Sequence, residues 1–206
     1  MDRLSGADIV TVVVVILISI SVHEFMHAYV GFKLGDTTAA EKGRVSLNPL
    51  RHIDPLLTVA LPVLTFILFN APILAAKPVP FDPDRVKFGD YGAAMLAAAG
   101  PLSNLVLAVI GAIAANTFVG GELIATFLAY FVTINVGLFV FNLIPIPPLD
   151  GSRVLYAFAP DPVRRVMDGI EPYGFVLLLA LLLWPGPFNL GNVLVNLNSQ
   201  VLQLLG

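Results

Sequence analysis

Polar residues are sparse over most of this chain, and the apolar ones gather into long unbroken runs rather than alternating with polar positions. A run of about 20 apolar residues is the length a helix needs to cross a hydrocarbon core. The first run predicts a helix over about 8–31, with Ser5 or Asp8 able to cap its start. Runs predicting helices follow over about 91–118 and 123–144, joined by the short stretch "VGGE". The apolar stretch at 56–76 is interrupted by Pro62 and by "NAP" at 70–72. Another, centred on Tyr173 to Trp184 and predicted as a helix over about 172–185, is short for a span unless it tilts. The last, about 188–205, places Asn189, Asn192, Asn196, Ser199 and Gln203 three or four apart, which makes one polar stripe on an otherwise apolar helix. Between the first two runs, Lys33 to Pro55 is polar and rich in Gly, Asn and Pro, as an interfacial loop with short strands would be.

The composition agrees with a chain that lives in lipid. Of 206 residues, 57% are hydrophobic and only 12% are charged, so the expected fold is all-α: a polytopic transmembrane helix bundle forming a single domain over 1–206. The first run has no small-residue cleavage site and is read as a retained helix, not a signal peptide. The net charge of −3 and the absence of any basic stripe point away from nucleic acid. There is no cysteine, so a transition metal would have to be held by His, Asp or Glu. Oligomeric state is not legible, because lipid-facing and partner-facing apolar surfaces look alike.

Against this background the first helix carries an anomaly, "HEFMH" at 23–27. On a helix, positions i and i+4 lie about 40° apart in azimuth and one turn apart in height, so His23 and His27 share a face at a spacing suited to one small cation. Glu24 sits beside the first of them, where a carboxylate can serve as the base that takes a proton from water activated by Zn²⁺. A core or surface helix explains such a pattern in many soluble proteins. Inside a membrane helix an unpaired carboxylate costs several kcal/mol, which favours the metal reading. A third ligand must come from elsewhere. His52, Asp54, Asp90, Glu122, Asp150 and Glu171 are candidates, and Asp150 stands out because "PIPPLDG" breaks the 123–144 helix at its end, with Gly151 permitting the turn. An interfacial turn aspartate is the plainer reading of Asp150 taken alone.

Together these stretches resemble the site-2 protease family of intramembrane zinc metalloproteases. "HEFMH" is similar to its His-Glu-x-x-His element, "NPLRHIDP" to its Asn-Pro-x-x-His-x-Asp-Pro element, "AAAGPLSN" to its Gly-x-x-x-Asn element and "NLIPIPPLDG" to its Asn…Pro…Leu-Asp-Gly element. The resemblance is to the short form of the family, without PDZ or CBS modules. It implies that His23, His27 and Asp150 bind Zn²⁺, that Glu24 is the catalytic base, and that Asn142 polarises the scissile carbonyl or holds the ligand helix. His52 would donate to the oxyanion or bind substrate; capping nearby backbone explains it equally well. Asn104 and Gly100 are read as helix-packing residues. The implied activity is hydrolysis of a peptide bond in or near a transmembrane segment of another membrane protein. The competing class is a metal-ion or proton transporter or channel lined by the same His, Glu and Asp groups.

Shared ligands constrain topology. If one metal is held near the end of the first helix and by Asp150, an even number of crossings separates Gly31 from Tyr91, which makes 56–76 re-entrant or embedded. Ten of the eleven Lys and Arg then lie on the metal side and only Arg3 opposite. The positive-inside rule places that side in the cytoplasm, with a prokaryotic plasma membrane as the expected location.

Overall fold

A computed structural model describes residues 5–52, 79–117, 120–184 and 189–205. Among these residues all regular structure is helical. Helix α1 spans Gly6–Lys33, α2 Thr38–Glu41, α3 Asp90–Thr117, α4 Glu122–Asn142, α5 Asp150–Phe158, α6 Asp161–Ile170, α7 Gly174–Leu183 and α8 Leu190–Leu205, with single 3-10 turns at Pro49–Arg51 and Glu171–Tyr173. The segment 56–76 lies outside the described residues.

Helices α1, α3 and α4 are long and apolar enough to cross a membrane. Ser5 and Asp8 cap α1 together: the Ser5 hydroxyl accepts from the Asp8 N–H at 3.1 Å and the Asp8 carboxylate accepts from the Ser5 N–H at 2.9 Å. Ile9, Val10, Val13, Val14 and Ile18 leave much of their surface exposed along α1, as do Leu102, Val106, Ile110 and Ile113 along α3. An apolar belt of that extent suits lipid and not water.

Helix α3 is the centre of the bundle, packing on α1, α4 and α5. Its buried face is made of small residues, Ala94, Ala97, Ala99, Gly100, Ala108, Gly111 and Ala112 among them. Such a face lets helices approach closely where lipid gives no hydrophobic incentive to associate. A Cβ at Gly111 would lie 2.8 Å from Phe131 Cδ1, so α3 and α4 meet nearly backbone to side chain. Helix α8 closes the other flank of α4, setting Leu194, Val201, Leu202 and Leu205 against Val136 and Val140.

The loop after α1 forms helical turns where short strands were expected, and no strand occurs among the described residues. Side chains that bond to nearby backbone explain this. Asp36 accepts from the Thr38 N–H at 2.9 Å and Asn48 accepts from the Leu50 N–H at 3.0 Å, which diverts the chain into turns before a ladder can form. Asp36 also accepts from the Asp82 N–H at 2.9 Å, and the Lys87 N–H donates to the Leu34 carbonyl at 2.9 Å. The end of α1 is thus tied to the segment leading into α3.

Two elements had no counterpart in the hydropathy pattern. Helices α5 and α6 are short and amphipathic, joined through Arg164, which donates to the Ala157 and Ala159 carbonyls at the end of α5 and pairs with Asp90 of α3 at 2.6 Å. They hold the far end of α5, around Ala157 and Ala159, against the start of α3.

Candidate metal centre

Two segments converge on one point. His23 and His27 lie one turn apart on α1, and Asp150 is the first residue of α5; one ligand atom from each lies within 4.8 Å of the others. The Asp150 Oδ2 is 3.3 Å from Nε2 of His23 and 3.3 Å from Nε2 of His27, and the two Nε2 atoms are 2.9 Å apart. Glu24 is buried beside them, and no hydrogen bond joins its carboxylate to another described residue.

The backbone decides which ring nitrogens carry protons. His27 Nδ1 lies 2.8 Å from the Leu96 carbonyl, which can only accept, so Nδ1 donates. His23 Nδ1 lies 2.7 Å from Asn104 Oδ1. The amide nitrogen of Asn104 faces the Ser19 carbonyl at 3.3 Å, which again can only accept, so its oxygen must face His23, and His23 Nδ1 donates. In neutral imidazoles both Nε2 atoms are therefore lone pairs. Two such lone pairs and a carboxylate oxygen meet in a buried space with no donor among them, and Asp150 Oδ2 has no hydrogen-bond partner among the described residues. Three converging acceptors repel one another unless a cation lies between them. The set of two imidazoles and one carboxylate, each imidazole buttressed through its other nitrogen, suits Zn²⁺.

The other acidic candidates are engaged elsewhere or distant. Asp90 pairs with Arg164 and Glu171 with Arg153 at 3.5 Å; Glu122 is exposed in the first turn of α4, and Asp54 lies outside the described residues. His52 is almost fully buried; its Nε2 donates to the Ser46 carbonyl at 2.7 Å and its Nδ1 has no partner among the described residues. Asn142 is part-buried near the end of α4 and donates to the Leu138 carbonyl of its own helix at 3.0 Å.

Two glycines take on roles that differ from their sequence reading. A Cβ at Gly100 would stand 2.3 Å from His27 Nε2 and 2.7 Å from His23 Cε1, so Gly100 is the floor of the site as well as a packing residue. Gly151 does not have the positive φ of a turn glycine. It is helical, and its Cβ would lie 2.2 Å from the Leu143 carbonyl oxygen, so it lets α5 start directly against the end of α4. Asn135, completely buried in α4, passed unnoticed in the sequence; its Oδ1 accepts from Asn104 Nδ2 at 2.9 Å. The signal was there, since a lone amide inside an apolar helix needs a partner.

Comparison with known proteins finds relatives named as zinc metalloproteases. The sequence profile of Peptidase family M50 matches residues 120–182. The chain is 36% identical over 182 residues to the "Putative zinc metalloprotease YwhC" of Bacillus subtilis, covering 84% of this chain and 80% of that protein. It is 30% identical over 176 residues to the "Putative zinc metalloprotease Rip2" of Mycolicibacterium smegmatis, covering 82% of this chain and 65% of that one. No solved structure matches.

Proposed function

This chain belongs to Peptidase family M50, and from that membership together with the geometry we propose that His23, His27 and Asp150 hold the zinc of an intramembrane endopeptidase with Glu24 as its base. The protein is a zinc metalloprotease of the membrane, acting on membrane-protein substrates. The observation that carries the ligand assignment is the meeting of three acceptors with no donor. A transporter would need ligands that exchange partners along a path, whereas each imidazole here is fixed by a second bond to a neighbouring helix.

When bound, zinc supplies Lewis acidity, polarising a carbonyl and making water a stronger acid. The chain's own groups do the rest. Glu24 takes the proton from the attacking water and returns it to the departing amine nitrogen as the C–N bond breaks. Asn142 uses one amide hydrogen on Leu138 and keeps a second for the scissile carbonyl. His52 Nδ1 in the neutral ring accepts, so its role toward substrate is to receive a backbone N–H.

The side of the membrane follows the same reading. The hydrogen bond between Leu34 and Lys87 supports a chain that leaves and returns on one side between them, as a re-entrant 56–76 would. With ten of eleven basic residues on that side, the site faces the cytoplasm.

The test is purification in detergent, metal analysis and a cleavage assay on a membrane-spanning substrate. We expect about one zinc per chain and loss of cleavage in Glu24→Ala with zinc retained. Zinc present and cleavage unchanged in that variant would overturn the mechanism.

A further inference from the structure

Asn104 and Asn135 are both completely buried, each among apolar helices. Their amides form a chain of single polarity that ends on the metal centre. Asn135 Nδ2 donates to the Phe131 carbonyl at 2.8 Å. Because that carbonyl can only accept, the oxygen of Asn135 must point the other way, to Asn104. Asn104 then has its two amide hydrogens committed, one to Asn135 Oδ1 at 2.9 Å and one to the Ser19 carbonyl at 3.3 Å. Its oxygen is left for His23 Nδ1 at 2.7 Å. Two main-chain carbonyls, one on α1 and one on α4, thereby fix every group between them. Reversing either amide would set donor against donor at one end and acceptor against acceptor at the other, in a place water does not reach.

We propose that Asn135 is a positioning residue for the metal centre: by holding the Asn104 amide in one orientation, it keeps His23 in the tautomer whose Nε2 lone pair faces the ligand site. It touches neither metal nor substrate and acts two bonds away, through Asn104. The proposal rests on the assignment of His23 as a zinc ligand. Asn135 also ties α4 to α3, so a purely architectural role is the reading to be excluded.

The two roles separate in the readout. Asn135→Asp, kept protonated by its apolar surroundings, still offers an oxygen to Asn104 and an O–H to Phe131; Asn135→Leu has similar bulk and loses both. Loss of the tie between α3 and α4 lowers the melting of the metal-free protein, whereas loss of the Asn104 orientation lowers zinc affinity by more than that melting accounts for. Zinc affinity of the full chain in detergent, measured by competition with a chromophoric chelator, is the readout, with thermal melting alongside. Loss of an outer-shell partner typically costs 10–100-fold in metal affinity, so we expect a drop of roughly that order in Asn135→Leu and recovery in Asn135→Asp. Should the leucine variant fail to fold, Asn135→Ser, too short to reach Asn104, takes its place with the same expectation. Wild-type zinc affinity in the leucine or serine variant, or an equal loss in the aspartate, overturns the proposal while leaving the metal centre standing. A wild-type protein that binds no zinc overturns the ligand assignment itself.

Discussion

Gly100 offers the sharpest test of the site, because a single methyl group there meets both imidazoles of the proposed ligand set. In Gly100→Ala the new carbon would sit 2.3 Å from His27 Nε2, 2.5 Å from His27 Cε1 and 2.7 Å from His23 Cε1. Relieving the closest contact requires about 1 Å of movement, since carbon atoms rest at about 3.5 Å. The imidazole is not free to make it. His27 Nδ1 is held by the Leu96 carbonyl at 2.8 Å, and Leu96 stands one turn before Gly100 on the same helix. Moving α3 away therefore stretches that bond while it opens the clash. The remaining outlet is rotation of the ring, which carries Nε2 off the ligand point, where metal distances tolerate only about 0.2 Å. Overpacking of this kind costs about 1–3 kcal/mol in stability, but the effect on chemistry is larger: a 1 Å misplacement costs about 100-fold in rate. The assay is zinc content and cleavage of a membrane-spanning substrate, with melting in detergent, for Gly100→Ala beside Gly111→Ala. The second variant is a packing control on the same helix, its Cβ meeting Phe131 and Val132 and no ligand. We expect Gly111→Ala to lose stability but keep zinc, and Gly100→Ala to lose zinc and cleavage. Full zinc and activity in Gly100→Ala, or equal zinc loss in both, would refute the reasoning.

Three further outcomes are expected. Gly151→Ala drives a methyl onto the Leu143 carbonyl, backbone that cannot swing aside, so the Asp150 end of α5 must shift and zinc content falls; unaltered zinc content in the purified variant would contradict this. Stripping the metal with a chelator should lower the melting temperature of the wild type, because a ligand at 100 times its Kd contributes about 2.7 kcal/mol, while His27→Ala, already unable to hold it, should not respond. Burial raises the Asp36 carboxyl, but hydrogen bonds from Thr38 and Asp82, with Arg85 nearby, outweigh it and hold the group below its ordinary 3.8. Its contribution is therefore present above that value and lost as pH falls through the lower folded one, so Asp36→Asn should cost about 1 kcal/mol near neutrality and nothing in strong acid, as melts across pH would measure.

What the sequence made legible follows from how strongly each feature is penalised when wrong. Hydrocarbon tolerates no unsatisfied backbone, so α1, α3 and α4 announce themselves as apolar runs; predicted over 8–31, 91–118 and 123–144, they lie at Gly6–Lys33, Asp90–Thr117 and Glu122–Asn142. The His23–His27 spacing is fixed by helix geometry alone, and Asp150 is marked by the prolines before it. Helices α5 and α6 were hidden because amphipathic helices of 9 and 10 residues need no hydrophobic run. Gly151 was misread because glycine serves two ends, turning backbone and admitting close neighbours, and only tertiary structure tells them apart. Asn135 was missed for the same reason: its partner is 31 positions away.

The choice of amides and carbonyls around His23 and His27 has an electrostatic reason. In a low-dielectric site the total charge matters more than any one pair, because an uncompensated charge pays most of its desolvation. On the proposed assignment a bound zinc would bring +2, Asp150 and Glu24 −1 each, and the imidazoles held by Asn104 and Leu96 would be neutral, so the sum would be zero. A carboxylate in the place of Asn104 would make a stronger acceptor for His23 Nδ1 but would leave the buried cluster with a net negative charge. A chain with no basic residue within the described spans of α3 and α4 has nothing there to balance it. The neutral amide fixes the tautomer without adding to the charge, and its second function, bonding to Asn135 and Ser19, satisfies hydrogens that the membrane would otherwise leave unpaired. On the proposed ligand assignment the outer shell is thus as constrained as the ligands, and Asn104, first read as a packing residue, also orients His23.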